Sequence, residues 1–213
     1  IRQAGRLPEV RMQLQSGESI IGYLTDDDNS NLTPYCYIDK QSESSQELKD
    51  WTLRFIASAP TVITKTYKMD TPKSWTELGE QVLNETMATG LYTTEFKCNN
   101  ITKGTFILDL GDVRETARVR LNGKEVATLF AVPYRVDVTQ YLKKGKNKLE
   151  IEVSNLGANR ISKLDREGVE WRKFNEINVV DLNYKNTRYD QWAPMPSGLC
   201  SSVRLLTYAP LNP

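Results

Sequence analysis

Short alternating segments separated by turn residues are the sequence feature that most constrains the fold. Residues 117–121 alternate apolar and charged side chains, and residues 148–153 place three aliphatic side chains on one face. A side-chain period of two indicates half-buried strands. Asn122-Gly123 separates the first segment from residues 124–130 and accepts the positive φ angles of a two-residue hairpin turn. The pattern therefore predicts antiparallel strands joined by tight turns.

Further strands are predicted on both sides of this hairpin, because short apolar or alternating runs recur between polar turns. They cover residues 51–55, 105–110, 135–138 and 202–206. Helical predictions are confined to the segment 76–87 and a single turn at 139–142, since no long apolar stripe of helical period is present. Short, evenly spaced strands are typical of a sandwich or barrel. We predict an all-β fold, an antiparallel β-sandwich of the jelly-roll type.

The first fifty residues differ in pattern from the rest of the chain. Residues 10–14 and 19–24 predict a hairpin around a turn at 15–18, and residues 39–50 form a polar linker. We place a domain boundary near residue 50. Residues 1–50 are then a β-hairpin lead-in, interpreted as the tail of a preceding domain, and residues 51–213 are the sandwich. The start of the sequence has no signal-type apolar segment, and we expect the chain to be a fragment of a longer protein.

Charge and composition exclude several classes of function. The formal net charge of +1 gives no electrostatic footprint for nucleic acid, and no apolar run is long enough for a membrane helix. The sequence contains no His, which excludes Ser-His-Asp and Cys-His catalysis. The three cysteines, Cys36, Cys98 and Cys200, are too widely spaced for a zinc motif. One disulfide with a free thiol and three buried thiols are both compatible with this count.

A calcium site is the one metal site to consider. Asp26-Asp27-Asp28-Asn29 offers hard oxygen ligands but lacks the spacing and glycine of an EF-hand loop. We interpret this segment as a solvated loop and predict no cofactor.

Three stretches of the sequence resemble a known family. The middle one is the most specific and reads LGDVRETARVRLNGKEVAT, followed by PYRVDVT. The stretches comprise residues 51–55 with 74–77 and 89–96, residues 108–129 with 133–139, and residues 147–155 with 158–161. Together they resemble the C-terminal region of glycoside hydrolases similar to family 106, the α-L-rhamnosidase-like enzymes. More loosely, they resemble the sugar-binding jelly roll of family 2 β-glycosidases. Phe130 and Gly157 depart from the pattern, where the family often has Trp and an aromatic residue.

The resemblance implies a galactose-binding-like sandwich over roughly residues 51–206. It also implies a multidomain parent that hydrolyses plant or host glycans, some of them containing rhamnose, in a secreted, periplasmic or cell-surface bacterial system. The acid and base carboxylates of such parents usually lie in a separate barrel domain. This fragment is therefore expected to be non-catalytic and monomeric.

The long segment between the last two predicted strands, residues 159–199, is the candidate site, because long loops in compact β domains are usually functional. Aromatic rings can stack on sugar rings, while Asn, Gln and Arg side chains hydrogen-bond sugar hydroxyls. The candidate carbohydrate-binding residues are Arg160, Trp171, Arg172, Asn175, Tyr184, Arg188, Tyr189, Gln191 and Trp192. The alternative is that this segment packs on the catalytic domain of the same parent chain and helps shape its active site.

Acidic residues in the same segment are a second set of candidates, as catalytic groups. A glycosidase needs two carboxylates at a defined separation. Asp165, Glu167, Glu170 and Asp190 lie in this segment. We interpret them as residues of a solvated loop, because any chain with 27 acidic residues offers such pairs.

Overall fold

The computed structural model describes residues 2–4, 7–14, 16–23, 37–101, 104–173, 183 and 187–209. These ranges contain short 3-10 helices at Lys40–Ser42, Trp75–Glu77, Gln81–Asn84 and Thr139–Tyr141, and an α-helix, α1, at Ala158–Arg166. None of the helices in these ranges has the length and apolar composition needed to cross a membrane. The strands are β1 (Arg2–Ala4), β2 (Leu7–Glu9), β3 (Ser44–Glu47), β4 (Trp51–Ala59), β5 (Thr66–Met69), β6 (Met87–Cys98), β7 (Thr105–Asp109), β8 (Val113–Arg114), β9 (Thr116–Leu121), β10 (Lys124–Leu129), β11 (Arg135–Asp137), β12 (Gly145–Ser154), β13 (Gly198–Leu199) and β14 (Arg204–Tyr208).

Two antiparallel sheets form the body of the domain. The larger has the strand order β10-β9-β12-β6-β4-β5 and the smaller the order β11-β7-β14-β3. Two-stranded ladders join β1 to β2 and β8 to β13. Every strand pair is antiparallel, which confirms the predicted all-β sandwich.

The core lies between the sheets and follows the alternation of the sequence. On β12, Leu149, Ile151 and Val153 are fully buried, as their spacing predicts. Trp51 and Trp75 are also buried, and each indole N–H has an acceptor. Trp51 Nε1 donates to the Leu48 carbonyl at 2.9 Å, and Trp75 Nε1 donates to Tyr92 Oη at 2.6 Å. Two of the four tryptophans are therefore core residues.

The hairpin at Asn122-Gly123 is confirmed in detail. The two residues have φ values of 55° and 80°, and Leu121 lies opposite Lys124 in the ladder. Asn122 Nδ2 donates to Asn147 Oδ1 at 2.8 Å, and Asn122 Oδ1 accepts from the Lys148 amide at 3.1 Å. The turn is therefore fixed to β12 by side-chain hydrogen bonds as well as by its backbone conformation.

Edge strand β10 contains an irregularity. Its register with β9 shifts between Glu125 and Ala127, so one extra residue is accommodated there. Arg118 on β9 donates to Glu125 through both Nε and Nη2, at 3.0 and 2.6 Å. The edge of the larger sheet is consequently bulged and charged.

The N-terminal prediction was wrong in its placement. The paired strands are β1 and β2, whereas the described residues of 10–14 and 19–24 contain no strand. Gln13 instead donates to the Ile38 carbonyl and accepts from the Ile38 amide, both at 2.8 Å. Strand β3 lies in the predicted linker and pairs with β14. The domain boundary near residue 50 stays a prediction.

Cys98 and Cys200 carry free thiols, so no disulfide joins them. Burial raises the pKa of Cys200 to about 11 and also raises the pKa of Cys98. Cys36 and the predicted loop at 26–29 lie outside the described residues.

Candidate functional site

The segment predicted as a long loop begins with α1. The helix was missed because it is only nine residues long and its buried side chains, Asn159 and Ser162, are polar. Long-range polar contacts hold it in place. Lys163 Nζ lies 2.5 Å from Glu85 Oε2, and Arg166 Nη2 lies 3.5 Å from Glu85 Oε1. These contacts lower the pKa of Glu85, with the hydrogen bond from Lys163 as the largest cause. Lys163 and Glu167, an (i, i+4) pair at 3.6 Å, and the spacing of Ala158, Ile161 and Leu164 are the local signals for this helix.

Asp165, in the last turn of α1, fixes the residues that follow. Its Oδ1 accepts from Trp171 Nε1 at 2.5 Å, and its Oδ2 accepts from the Tyr189 amide at 2.7 Å. These two hydrogen bonds, that from Trp171 first, lower the pKa of the Asp165 carboxyl. One carboxylate thus joins two parts of the chain that are 18 residues apart in sequence.

Four side chains pack together on this support, and we call Trp171, Arg172, Tyr189 and Trp192 the aromatic cluster. The ring centroids of Trp171 and Tyr189 are 6.1 Å apart, and those of Tyr189 and Trp192 are 4.7 Å apart in an edge-on arrangement. The Arg172 guanidinium carbon lies 4.7 Å from the Trp171 ring centroid and 5.6 Å from that of Tyr189. The guanidinium therefore makes cation–π contacts with both rings.

The structure brings four of the nine predicted site residues together in this cluster. Gln191 is exposed beside Trp192, and Arg188 pairs with Asp190 at 2.7 Å. Arg160 lies on α1, outside the cluster contacts. Asn175 and Tyr184 lie outside the described residues. The assignment of these residues to sugar binding stays a prediction.

The four acids of the segment each have a partner of their own. Asp165 accepts the two hydrogen bonds described above, and Asp190 pairs with Arg188. Glu167 lies 3.6 Å from Lys163, and Glu170 accepts from the Arg172 amide at 3.2 Å. Asp165 lies in α1 rather than in the predicted loop, and Glu167, Glu170 and Asp190 lie between α1 and β13. In the described ranges no group of acids and cysteines is arranged to hold a metal ion.

A buried polar network that the sequence did not reveal anchors the turn after the cluster. Asn159 Nδ2 donates to the Met195 carbonyl at 2.9 Å, and Asn159 Oδ1 accepts from the Met195 amide at 2.7 Å. The Ser197 amide donates to Ser74 Oγ at 3.0 Å, and the Ser197 carbonyl accepts from the Trp75 amide at 2.9 Å. The cluster is therefore fixed at both ends, by α1 and by the sandwich core.

The surface beside the cluster is apolar. Trp192 is 47% exposed, Met195 39% and Leu156 53%. Leu156 and Met195 line the same small pocket with Ala158 and Pro196. We call Leu156 and Met195 the apolar rim. Exposed apolar groups that adjoin one another are typical of a contact surface.

The two-sheet antiparallel sandwich defines the class of architecture, a galactose-binding-like β domain. The chain belongs to the glycosyl hydrolase 2 galactose-binding domain-like family, whose model matches residues 75–193. The predicted relationship to glycoside hydrolase domains is thereby confirmed.

Known proteins similar to this chain are much longer. A putative β-glucuronidase of Formosa agariphila is 35% identical over 114 residues, which cover 52% of this chain and 10% of that protein. A rhamnosidase from Novosphingobium sp. PP1Y is 22% identical with a TM-score of 0.62, over 80% of this chain and 16% of that one. The β-glucuronidase of Bifidobacterium dentium is 19% identical with a TM-score of 0.55, over 82% of this chain and 31% of that one. The two solved structures support the fold alone.

Proposed function

We propose that this chain is a non-catalytic domain of a multidomain glycoside hydrolase, and that its segment 159–192 packs on the catalytic domain and helps shape its active site. Family membership supports the first part, together with the small share of each relative that the chain spans. The observation that carries the second part is the aromatic cluster, which is assembled in the isolated chain and leaves the ring of Trp192 47% exposed.

The chemistry of the exposed surface favours a protein partner. Arg172 stacks on two rings and donates to the Thr187 carbonyl, and the Trp171 indole N–H is bound to Asp165. The indole N–H of Trp171 and one nitrogen of Arg172 are thus already hydrogen-bonded within the chain. An exposed Trp with neighbouring aliphatic side chains is typical of the buried centre of a domain interface.

The name of the 35% identical relative bears on the parent's substrate. A putative β-glucuronidase favours a uronic acid glycoside over a rhamnoside, and the rhamnose-containing glycan predicted from the resemblance is the second candidate. We propose a secreted or periplasmic bacterial location on the family resemblance.

Replacing Trp192 by Ala in the full-length polypeptide tests the packing proposal. We expect kcat/KM on an aryl glycoside to fall by about tenfold or more, because a misplaced loop disturbs substrate positioning, while the melting temperature of the domain is unchanged. Val62→Ala is the matched control, since Val62 is 76% exposed, lies in the turn after β4 and makes none of the ring contacts of the cluster. Unchanged kinetics in Trp192→Ala would reject the proposal.

Direct glycan binding by the cluster is the second candidate function. The exposed ring of Trp192 with the exposed amide of Gln191 beside it favours this role. A glycan array and calorimetry on the 213-residue chain test it. Binding that is lost in Trp192→Ala supports this role, and silence across galactose-, rhamnose- and uronate-containing glycans rejects it.

A further inference from the structure

The turn between β9 and β10 contains a chemically reactive pair of residues. Asn122-Gly123 is the one Asn-Gly pair in the sequence. Because glycine has no side chain, its backbone nitrogen can approach the side-chain amide of a preceding Asn with little hindrance. Gly123 is exposed, and a Cβ built there would meet no atom of the described residues within 4 Å. Water therefore reaches this turn.

The reaction open to such a pair is deamidation. The Gly123 nitrogen loses its proton and attacks Asn122 Cγ, so that a bond between nitrogen and Cγ forms, the bond between Cγ and Nδ2 breaks, and ammonia leaves. Water then opens the cyclic imide and leaves an aspartate or isoaspartate in place of the asparagine. The net change replaces a neutral amide, which both donates and accepts hydrogen bonds, by a carboxylate, which only accepts them.

The fold holds the Asn122 amide away from the Gly123 nitrogen. Asn122 Nδ2 donates to the Tyr141 carbonyl at 2.9 Å and to Asn147 Oδ1 at 2.8 Å, and Asn122 Oδ1 accepts from the Lys148 amide at 3.1 Å. Both N–H groups and the oxygen of the side chain therefore have partners, and all of these lie outside the turn. The side chain has to leave them before it can turn back and form the cyclic imide.

The acceptor Asn147 is itself fixed in one orientation. It is fully buried, its Nδ2 donates to the Lys143 and Gly145 carbonyls at 2.8 and 3.0 Å, and its Oδ1 accepts from the Lys143 amide at 2.8 Å. Turning the Asn147 amide over would break these contacts. The two Asn side chains thus form one network, which joins the β9–β10 turn to the start of β12.

A carboxylate in place of the Asn122 amide does not fit this network. One of its oxygens would face the Tyr141 carbonyl and Asn147 Oδ1, which are both acceptors. Acceptors that lose their donors away from bulk water reduce stability. Asp-Gly is itself a favourable sequence for a two-residue hairpin turn, so the loss would arise from the network and not from the turn.

We propose that Asn122 is a deamidation site that the fold keeps inactive, and that it reacts when this end of the sandwich opens. The reaction releases ammonia and is irreversible, and its product closes the network less well. A chain that has reacted therefore opens more readily than before. The network lies at the start of β12, whereas α1 follows the end of that strand, so the inference is independent of the function proposed for segment 159–192.

Peptide mass spectrometry of the 213-residue chain, incubated at mildly alkaline pH with and without denaturing guanidinium chloride, tests the proposal. We expect deamidation of Asn122 to be about a hundredfold slower in the native chain, because three hydrogen bonds have to open first and each contributes about a factor of five to that equilibrium. Gly123→Ala in denaturant is the control and should slow the reaction, since a Cβ hinders the attack. Equal rates in the native and the unfolded chain would overturn the proposal.

Asn147→Ala tests the network directly. The variant lacks the acceptor of one Asn122 hydrogen bond, so deamidation under native conditions should become about fivefold faster or more. A folded variant that deamidates at the wild-type rate would contradict the proposal. If the variant does not fold, the comparison of native and unfolded wild-type chain decides.

Asn122→Asp reproduces the aspartate product and tests its effect on the fold. The equilibrium constant for unfolding, measured in urea, should rise about tenfold or more, because a donor is lost and two acceptors are left facing a carboxylate. Gln140→Glu is the matched control, since Gln140 is exposed, precedes Tyr141 and undergoes the same change from amide to carboxylate. Equal stability of the two variants would show that the product fits the network, against the proposal.

Discussion

At Gly198 the backbone has a φ of +89°, and a Cβ built there would lie 2.3 Å from both Trp75 Nε1 and Tyr92 Oη. These two atoms are hydrogen-bonded to each other, and Tyr92 Oη also accepts from the Leu199 amide at 3.1 Å. The two buried aromatic side chains thus approach the backbone closely at Gly198, where no Cβ obstructs them. The turn that follows the aromatic cluster owes its position to this contact.

Gly198→Ala should therefore destabilise the domain by about 3 kcal/mol or more, from backbone strain and from overpacking together. Gly123→Ala is the matched control. Gly123 has a similar φ of +80°, but a Cβ there would meet no atom of the described residues within 4 Å, so the variant should lose only about 1–2 kcal/mol. Urea denaturation of both variants measures the difference. Equal losses in the free energy of unfolding would show that the close contact with Trp75 and Tyr92 adds nothing to the cost of a Cβ at Gly198.

Among the elements, the strands with a clear alternating or apolar pattern, such as β9 and β12, were predictable, whereas α1 and the strands β3, β5 and β6 were not. The alternation on β12 and the pair Asn122-Gly123 are local signals, because burial on one face and a positive φ act on neighbouring residues. Helix α1 depends on Glu85, which is 78 residues from Lys163, and such a contact leaves no periodic pattern. The alternation at residues 10–14 led to a wrong strand prediction for a related reason. A strand also needs a neighbouring strand to pair with, and alternation within one segment does not show whether such a neighbour exists.

The candidate site was predictable in composition but not in arrangement. Trp171, Arg172, Tyr189 and Trp192 were identified because aromatic and Arg residues are concentrated in one long segment. The carboxylate that assembles them, Asp165, stood out in the sequence only as one acid among several. Its role depends on which backbone amide comes within reach, and this is decided by the tertiary fold.

Asp165→Asn should loosen the segment that carries the cluster. The charged acceptor for Trp171 and Tyr189 is lost, and hydrogen bonds to charged groups are the stronger ones. We expect faster hydrogen exchange at the Tyr189 amide and a change in tryptophan fluorescence, with little change in global stability. Glu167→Gln, in the residue that follows the same helix, is the control and should leave both signals unchanged.

The pH dependence of this contact has a definite sign. The folded-state pKa of Asp165 is lowered, so its stabilising contribution is present above the unfolded pKa near 4 and is lost as the pH falls through the folded value. The protection of the Tyr189 amide, the ratio of its exchange rate in an unstructured chain to that in the folded chain at the same pH, should then decrease below about pH 4 in the wild-type chain. If the Asp165→Asn variant showed the same change at Tyr189 over the same pH range, the change could not be due to protonation of Asp165.

On the scale of the whole molecule, the chain combines a well-packed sandwich with loops that carry its exposed rings. The acids of the 159–192 segment are held by Arg, Lys, Trp and backbone groups, and the sequence has no His. We therefore expect the 213-residue chain to leave aryl glycosides intact. Hydrolysis that disappears on a single Asp or Glu substitution would show that the chain is an enzyme in its own right.

The bulge in β10 protects an edge of the larger sheet against pairing with another chain. An open sheet edge is a template on which a second chain can pair and aggregate. Here one edge of the larger sheet is kinked at Val126 and flanked by charges, and β3, β5 and β11 are only four, four and three residues long. None of these borders offers a long, flat ladder. A unit with edges of this kind can be joined to different neighbouring domains, or expressed by itself, without polymerising through its strands.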